Sequence, residues 1–406
     1  MKQNPVRSQP LSFPRNPRRN WLPCLCGHRE LHQRSTLPAT PPFRSPWITL
    51  GTGYHNHPAF GHWDLIHATL DVLEEHPDHA RNQLDHLFGL QQPAGFIPSL
   101  VYMNRTPPGW HPHGASPPVW VVAVQDLWQQ TRDGSLLDTA YRVLCRQISW
   151  YDLNRSLPAV SAYFDIGMME NTFWDSGVDF GIRYDTASEE PTPAVDSTAW
   201  GHMLFTHARD WAATLGLPLE QDHWRQRAER FADFLRESCF DAETGFFHDP
   251  RWVGHPELRG LAIEGIWPLV TGAASPEQAS RVIDENLMNH DRFFTPHPLA
   301  SVGRADPKFS LTMWRGPTWN SMAYWAARGC LRYGRLDAAA RILEAALDAT
   351  ARVFDQTGRI WEFYHPLGGS PLELQRKPWT AWNQPHADYL GHNPLAAMAR
   401  LWGNCM

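Results

Sequence analysis

No run of about 20 apolar residues occurs anywhere in the 406 residues, which excludes a single hydrophobic helix crossing a bilayer. Cysteine is sparse: Cys24, Cys26, Cys145, Cys239, Cys330 and Cys405 are six in a long chain, too few for a disulfide scaffold. The first ten residues lack the apolar stretch of a secretory leader, so a cytoplasmic, reducing location is the expectation. Lysine is scarce, charged residues are 19% and the formal net charge is −6, which argues against a general electrostatic grip on nucleic acid or an anionic membrane. No alternating Val, Ile and Thr run announces a large sheet. Neither a phosphate-cradling nor a dinucleotide-binding glycine motif is present, so no redox cofactor is expected.

What the chain has in quantity is tryptophan (20) and histidine (21), about one residue in twenty each. Half or more of the tryptophans are expected in the core. The remainder, with Asp and His, suit a concave polar site in which rings meet C–H faces and carboxylates meet hydroxyls, as a sugar would require. With 42% apolar residues, a chain of this length can bury a large core.

Residues 1–45 are rich in Pro and Arg and lack a helical period, which reads as a poorly ordered or extended arm. Cys24-x-Cys26 with His28 has no partner pair at zinc-ribbon spacing, so no metal is expected there. From about residue 62 onward apolar residues recur at helical spacing. Examples are Leu137, Ala140, Tyr141, Leu144 and Ile148, and Ile342, Leu343, Ala346, Leu347 and Thr350, the latter opposite Arg341, Glu344, Asp348 and Arg352. Short turns such as Arg132-Asp133-Gly134 and Tyr333-Gly334-Arg335 join helix pairs, whereas 103–118, 154–195, 240–260, 289–316 and 355–388 read as long loops. Short turns make antiparallel neighbours, and long loops inside a compact domain usually carry function. The alternation predicts an all-α barrel of about twelve helices with its site at the long-loop end. An α-solenoid is the rival, but no period of 34–47 residues is visible.

Four stretches carry candidate chemistry. The first runs from Glu170 to Tyr184, with Trp174, Asp175, Gly177, Asp179, Phe180 and Arg183. A carboxyl packed against aromatics loses hydration, its pKa rises, and it can serve as a general acid. A surface acidic loop capping the next helix is the plainer reading. The second is Trp361-Glu362-Phe363-Tyr364, a lone carboxylate among rings, or else a partly buried Glu paired with Arg359. In the third, Trp314-Arg315-Gly316-Pro317-Thr318-Trp319, Pro317 is expected to open a helix with Arg315 at its mouth. The fourth spans Gly51 to Asp64, where His55, His57 and His62 at His-x-His-x4-His spacing raise a metal reading that lacks clear helical placement; aromatic and polar ligand contacts are the favoured role.

The segment Asp175-Ser-Gly-Val-Asp179 resembles the Ser-Gly-x-Asp motif of the trehalases (glycoside hydrolase family 37) and of family 63. Trp314-Arg315-Gly316-Pro317-Thr318-Trp319, Glu362-Phe363-Tyr364, Trp379-Thr380, Trp63-Asp64 and Gln91-Gln92-Pro-Ala-Gly95-Phe96-Ile97-Pro98 resemble further segments of those families in the same order, over roughly 50–406. By length the chain is most similar to compact mannosylglycerate and glucosylglycerate hydrolases. The resemblance implies an (α/α)6 barrel over 46–406 forming one catalytic domain, a six-hairpin toroid. It also implies an inverting hydrolase of small α-glycosides, with Asp179 as general acid and Glu362 as general base. Trp63, Asp64, Gln92, Trp174, Asp175, Arg183, Trp314, Arg315, Trp319, Trp361, Tyr364 and Trp379 become the expected substrate-binding residues, with a small glycoside as partner and neither metal nor cofactor. Val178 stands where relatives often have Trp or Met, Met313 where Tyr is common, and 383–394 has no counterpart. The alternatives are a sugar epimerase using His on the same barrel, or a non-catalytic sugar-binding protein.

Overall fold

The computed structural model describes residues 17–54, 58–104, 108–111, 114–157, 159–170, 175–186, 188 and 190–406. Among them, helices form two concentric rings. The inner ring is α2 (His62–Val72), α4 (Trp120–Thr131), α6 (Val195–Thr214), α8 (Trp267–Thr271), α10 (Asn320–Arg332) and α12 (Leu395–Gly403). The outer ring is α1 (Leu22–Ser35), α3 (Pro77–Gly89), α5 (Gly134–Asn154), α7 (Pro218–Phe234), α9 (Pro276–Arg281, continued by a wider turn through Leu287) and α11 (Leu336–Thr357). Inner neighbours pack in sequence, and α12 against α2 closes the circle. Between α4 and α6 the link is Trp120 against Trp211, with the Trp211 indole donating to Gln125 at 2.8 Å.

Local sequence explains the boundaries. Prolines open α3, α7 and α9, where a missing N–H costs nothing. Ser275 and Gln278 form a reciprocal cap at α9, and Asp133 accepts from the Ser135 amide at 2.8 Å to start α5. On α11, Ile342, Leu343, Ala346, Leu347 and Thr350 are buried as the stripe requires. One apolar cluster runs from Trp21 to Trp402.

Residues 1–45 do not form an arm over their described part. Trp21, Cys24, Leu25 and Leu31 are core residues, and α1 packs on α11 as the sixth outer helix. The ridge expected to face solvent on α11 receives it: Trp21 and Asn20 donate to Asp348 at 2.7 and 2.8 Å, and Arg18 pairs with Glu344 at 2.6 Å. The stripe of α1 is carried by Cys, His and Ser as well as Leu, which hides it from an apolar count.

Short turns after α4, α6 and α10 return the chain into the outer ring, so the inner-helix N-termini face the long loops. Those loops hold short antiparallel pieces, chiefly Ala59–Gly61 with Leu100–Tyr102 and Gly109–Trp110, and single bridges such as Thr318 with Tyr364. Pro317 does not open a helix: α10 begins three residues later, because Thr318 is held extended against Tyr364 by two backbone hydrogen bonds of 2.9 Å.

Candidate active site

A cavity of about 620 Å³ opens at the long-loop end, lined from four of the five long loops and the N-terminal turn of α2. Asp179 and Glu362, 183 positions apart in sequence, both line it. Trp63, Trp314 and Trp319 wall it as a stack: the last two rings are 4.0 Å apart and nearly parallel, and Trp63 lies 6.0 Å from Trp314.

Asp179 sits beyond a tight turn. Gly177 has φ +67°, and a Cβ there would come within 2.3 Å of the Trp63 ring, so only glycine fits both the backbone and the close approach. Phe180, next in chain, is clamped by Arg315, whose guanidinium lies 4.2 Å over its ring and donates to its carbonyl at 3.0 Å, and also pairs with Asp185 at 3.0 Å. Arg315 therefore orients the turn from behind. Lys377 Nζ is 2.9 Å from Asp179 Oδ2.

Glu362 is buried, 2% exposed, in the wall of the same cavity. Burial alone would raise its pKa, but Arg376, donating to both carboxylate oxygens at 3.0 and 2.8 Å, and the His386 amide at 3.1 Å hold it below the ordinary value. It is an ionised carboxylate at neutral pH. Arg376, rather than Arg359, is its partner; Arg359 pairs with Asp388.

Asp64, in the first turn of α2, is the third carboxyl. Burial raises its pKa to about 7, with the Tyr389 hydroxyl donating to it and pulling the other way, and with Glu362 and Asp179 adding to the rise. His392 Nε2 lies 3.5 Å from Asp64, and burial keeps that ring neutral. The 383–394 run thus supplies Tyr389 and His392 as walls of the cavity.

Several expected contacts lie elsewhere. Asp175 is sealed against Arg155 and accepts from the Ala115 amide at 2.9 Å. Arg183 is 2% exposed and locked between Asp196 at 2.8 Å and Asp249 at 3.0 Å. Gln92 donates to the Leu90 carbonyl at 2.8 Å, away from the cavity lining. Tyr364 is buried, its hydroxyl held between the Trp361 amide and Asn393 at 3.2 Å each. Trp361 faces a separate shallow hollow beside Arg359 and Asp388. Trp379 is 55% exposed, its ring edge-on to Phe180 outside the lining. Asp175, Arg183 and Tyr364 satisfy their polar groups within the protein, which is why the cavity does not claim them. Trp174, His55 and His57 lie outside the described residues; His62 is buried, and among the described residues neither ring nitrogen is hydrogen-bonded.

Arg376, Lys377, Tyr389 and His392 also line the cavity and are not among the contacts expected from sequence, and Tyr54 was expected only as part of its stretch. Lys377 carried a signal: it is one of three lysines in the chain and follows an arginine two residues before Trp379.

A toroid of six helical hairpins with two carboxylates and stacked tryptophans at its loop end defines the chain as a glycoside hydrolase of the trehalase and family 63 group. Within that group, residues 58–380 match the family described as the mannosylglycerate hydrolase MGH1-like glycoside hydrolase domain, and the chain belongs to it. Mannosylglycerate hydrolase MGH1 of Selaginella moellendorffii is 22% identical over 395 residues, covering 80% of this chain and 79% of that protein. The mannosylglycerate hydrolase of Rubrobacter radiotolerans is 22% identical over 397 residues, covering 79% and 88%. Among solved structures, the family 63 mannosylglycerate hydrolase of Thermus thermophilus superposes with a TM-score of 0.70 at 20% identity, covering 93% of this chain and 99% of that one. No described helix is long and apolar enough to cross a membrane.

Proposed function

We propose that the protein hydrolyses a small α-glycoside with inversion, Asp179 acting as general acid and Glu362 as general base, and that the substrate is an α-glycoside of glycerate. The observation that carries this reading is that Asp179 and an arginine-held Glu362 line one tryptophan-walled cavity. The Selaginella, Rubrobacter and Thermus relatives are mannosylglycerate hydrolases, which supports glycerate as the aglycone.

In the proposed step, water between Glu362 and the anomeric carbon loses its proton to Glu362 while its oxygen attacks. The bond to the aglycone breaks on the far face, and Asp179 gives its proton to the departing oxygen. Room for that water calls for carboxyls about 6.5–9.5 Å apart. Glu362 is suited to accept the proton because Arg376 keeps it ionised. Lys377 occupies Asp179 Oδ2 in the substrate-free protein; the carboxylate of a glycerate aglycone offers its ammonium a second partner and frees that oxygen for the glycosidic bond. Asp64 and His392 face the sugar from the α2 side, and Trp314 and Trp319 form its floor.

The test is turnover of mannosylglycerate, glucosylglycerate, trehalose and short α-glucosides by wild type, Asp179→Asn and Glu362→Gln. Wild type should release glycerate, and each variant should lose about 10²–10⁴-fold in kcat. Variants as fast as wild type overturn the assignment. Epimerised sugar with no aglycone released favours the isomerase reading.

A further inference from the structure

Outside the cavity lining, two histidines one turn apart on α1 meet a carboxylate of α2 inside the core. His28 and His32 sit at i and i+4 and so point the same way. Their Nε2 atoms lie 3.4 and 3.1 Å from one oxygen, Asp71 Oδ2. The three residues are 0–3% exposed. The other carboxylate oxygen, Oδ1, accepts from the Ala397 amide at 2.8 Å, in the first turn of α12.

Hydrogen bonding alone does not account for this cluster. His32 reaches Oδ2, but among the described residues His28 Nε2 makes no hydrogen bond although it is sealed from solvent and aimed at the same oxygen. A buried polar atom left without a partner is costly and rare. Ligands bound 2.0–2.1 Å from a tetrahedral zinc ion are about 3.3 Å from one another. The two measured edges, 3.4 and 3.1 Å, fall on either side of that length, and all the candidate ligand atoms lie within 4.8 Å of each other.

We propose that His28, His32 and Asp71 hold a divalent transition-metal ion of the zinc type that pins α1 to the inner ring. Two imidazole nitrogens and one carboxylate oxygen suit Zn²⁺ or Co²⁺, whereas Ca²⁺ and Mg²⁺ call for oxygen donors throughout. A water taken in with the ion completes the tetrahedron. The three residues are buried and outside the cavity lining, so the ion's role is structural. Through Asp71 the ion joins α1, α2 and α12, the place where the chain closes its ring.

The test uses the full-length chain without a histidine tag, expressed with added zinc and assayed by elemental analysis, with His32→Gln and Asp71→Asn as comparisons. Wild type should carry about one zinc per chain and both variants background amounts. Protein expressed with cobalt should show the visible bands of tetrahedral Co²⁺. Wild type without metal, or equal metal in wild type and both variants, overturns the proposal. The cobalt spectrum of wild type decides the matter even where the variants do not fold: no uptake, or the weak bands of six oxygen ligands, sinks the site.

Discussion

Lys377 touches Asp179, so a single side chain tests the proposed glycerate recognition. Lys377→Met should raise KM for mannosylglycerate by about tenfold or more, the weight of one charge-assisted hydrogen bond, and leave KM for an uncharged α-glucoside nearly unchanged. Equal effects on both substrates would remove Lys377 from aglycone binding. Asp64 gives a pH signature. Its folded pKa of about 7 lies above its ordinary 3.8. Its contribution therefore favours the fold fully below about pH 4 and is lost as pH rises through 7. Asp64→Asn, a permanently neutral stand-in, should flatten that part of the decline in Tm between pH 4 and 7; a Tm–pH curve parallel to wild type counts against it. Gly177→Ala should slow turnover through displacement of Trp63 and the Asp179 turn, read as a fall in kcat with the fold retained by circular dichroism.

At the scale of elements, the loops are tied to the barrel by buried ion pairs that sequence alone made look like substrate contacts. Arg183 neutralises Asp196 and Asp249 beneath the Asp179 turn. Arg183→Met leaves those carboxylates without their cation and should cost about 3–5 kcal/mol of stability, seen as a lower denaturation midpoint. An unchanged midpoint with a raised KM would return Arg183 to the substrate. The helical hairpins and the loop end were legible because periodicity and turn length are local properties. So were Asp179, Glu362 and the Trp314–Trp319 wall, as residues sharing one motif order. Arg183, Asp175 and Tyr364 were not separable from cavity residues, since a motif records that positions matter but not which way a side chain turns. Arg376 was invisible as the partner of Glu362 because the pairing depends on how 371–390 folds back over 360–365.

At the scale of the molecule, the outer ring is complete only with α1 in place, and α1 was the element least legible in sequence. Deleting residues 1–35 strips Trp21, Leu25 and Leu31 from the core, each worth about 1.5–3 kcal/mol. The shortened chain should aggregate or melt well below the full chain, whereas an unchanged Tm would mean the segment is dispensable. The closed toroid then fixes where its loops project and brings two distant carboxyls to one cavity. Whether they act across a water is most directly decided by proton NMR of the sugar in the first moments of turnover of an α-glycoside such as mannosylglycerate. The β-anomer appearing first, followed by mutarotation to the mixture, is the expected result; the α-anomer appearing first would contradict single displacement by Asp179 and Glu362.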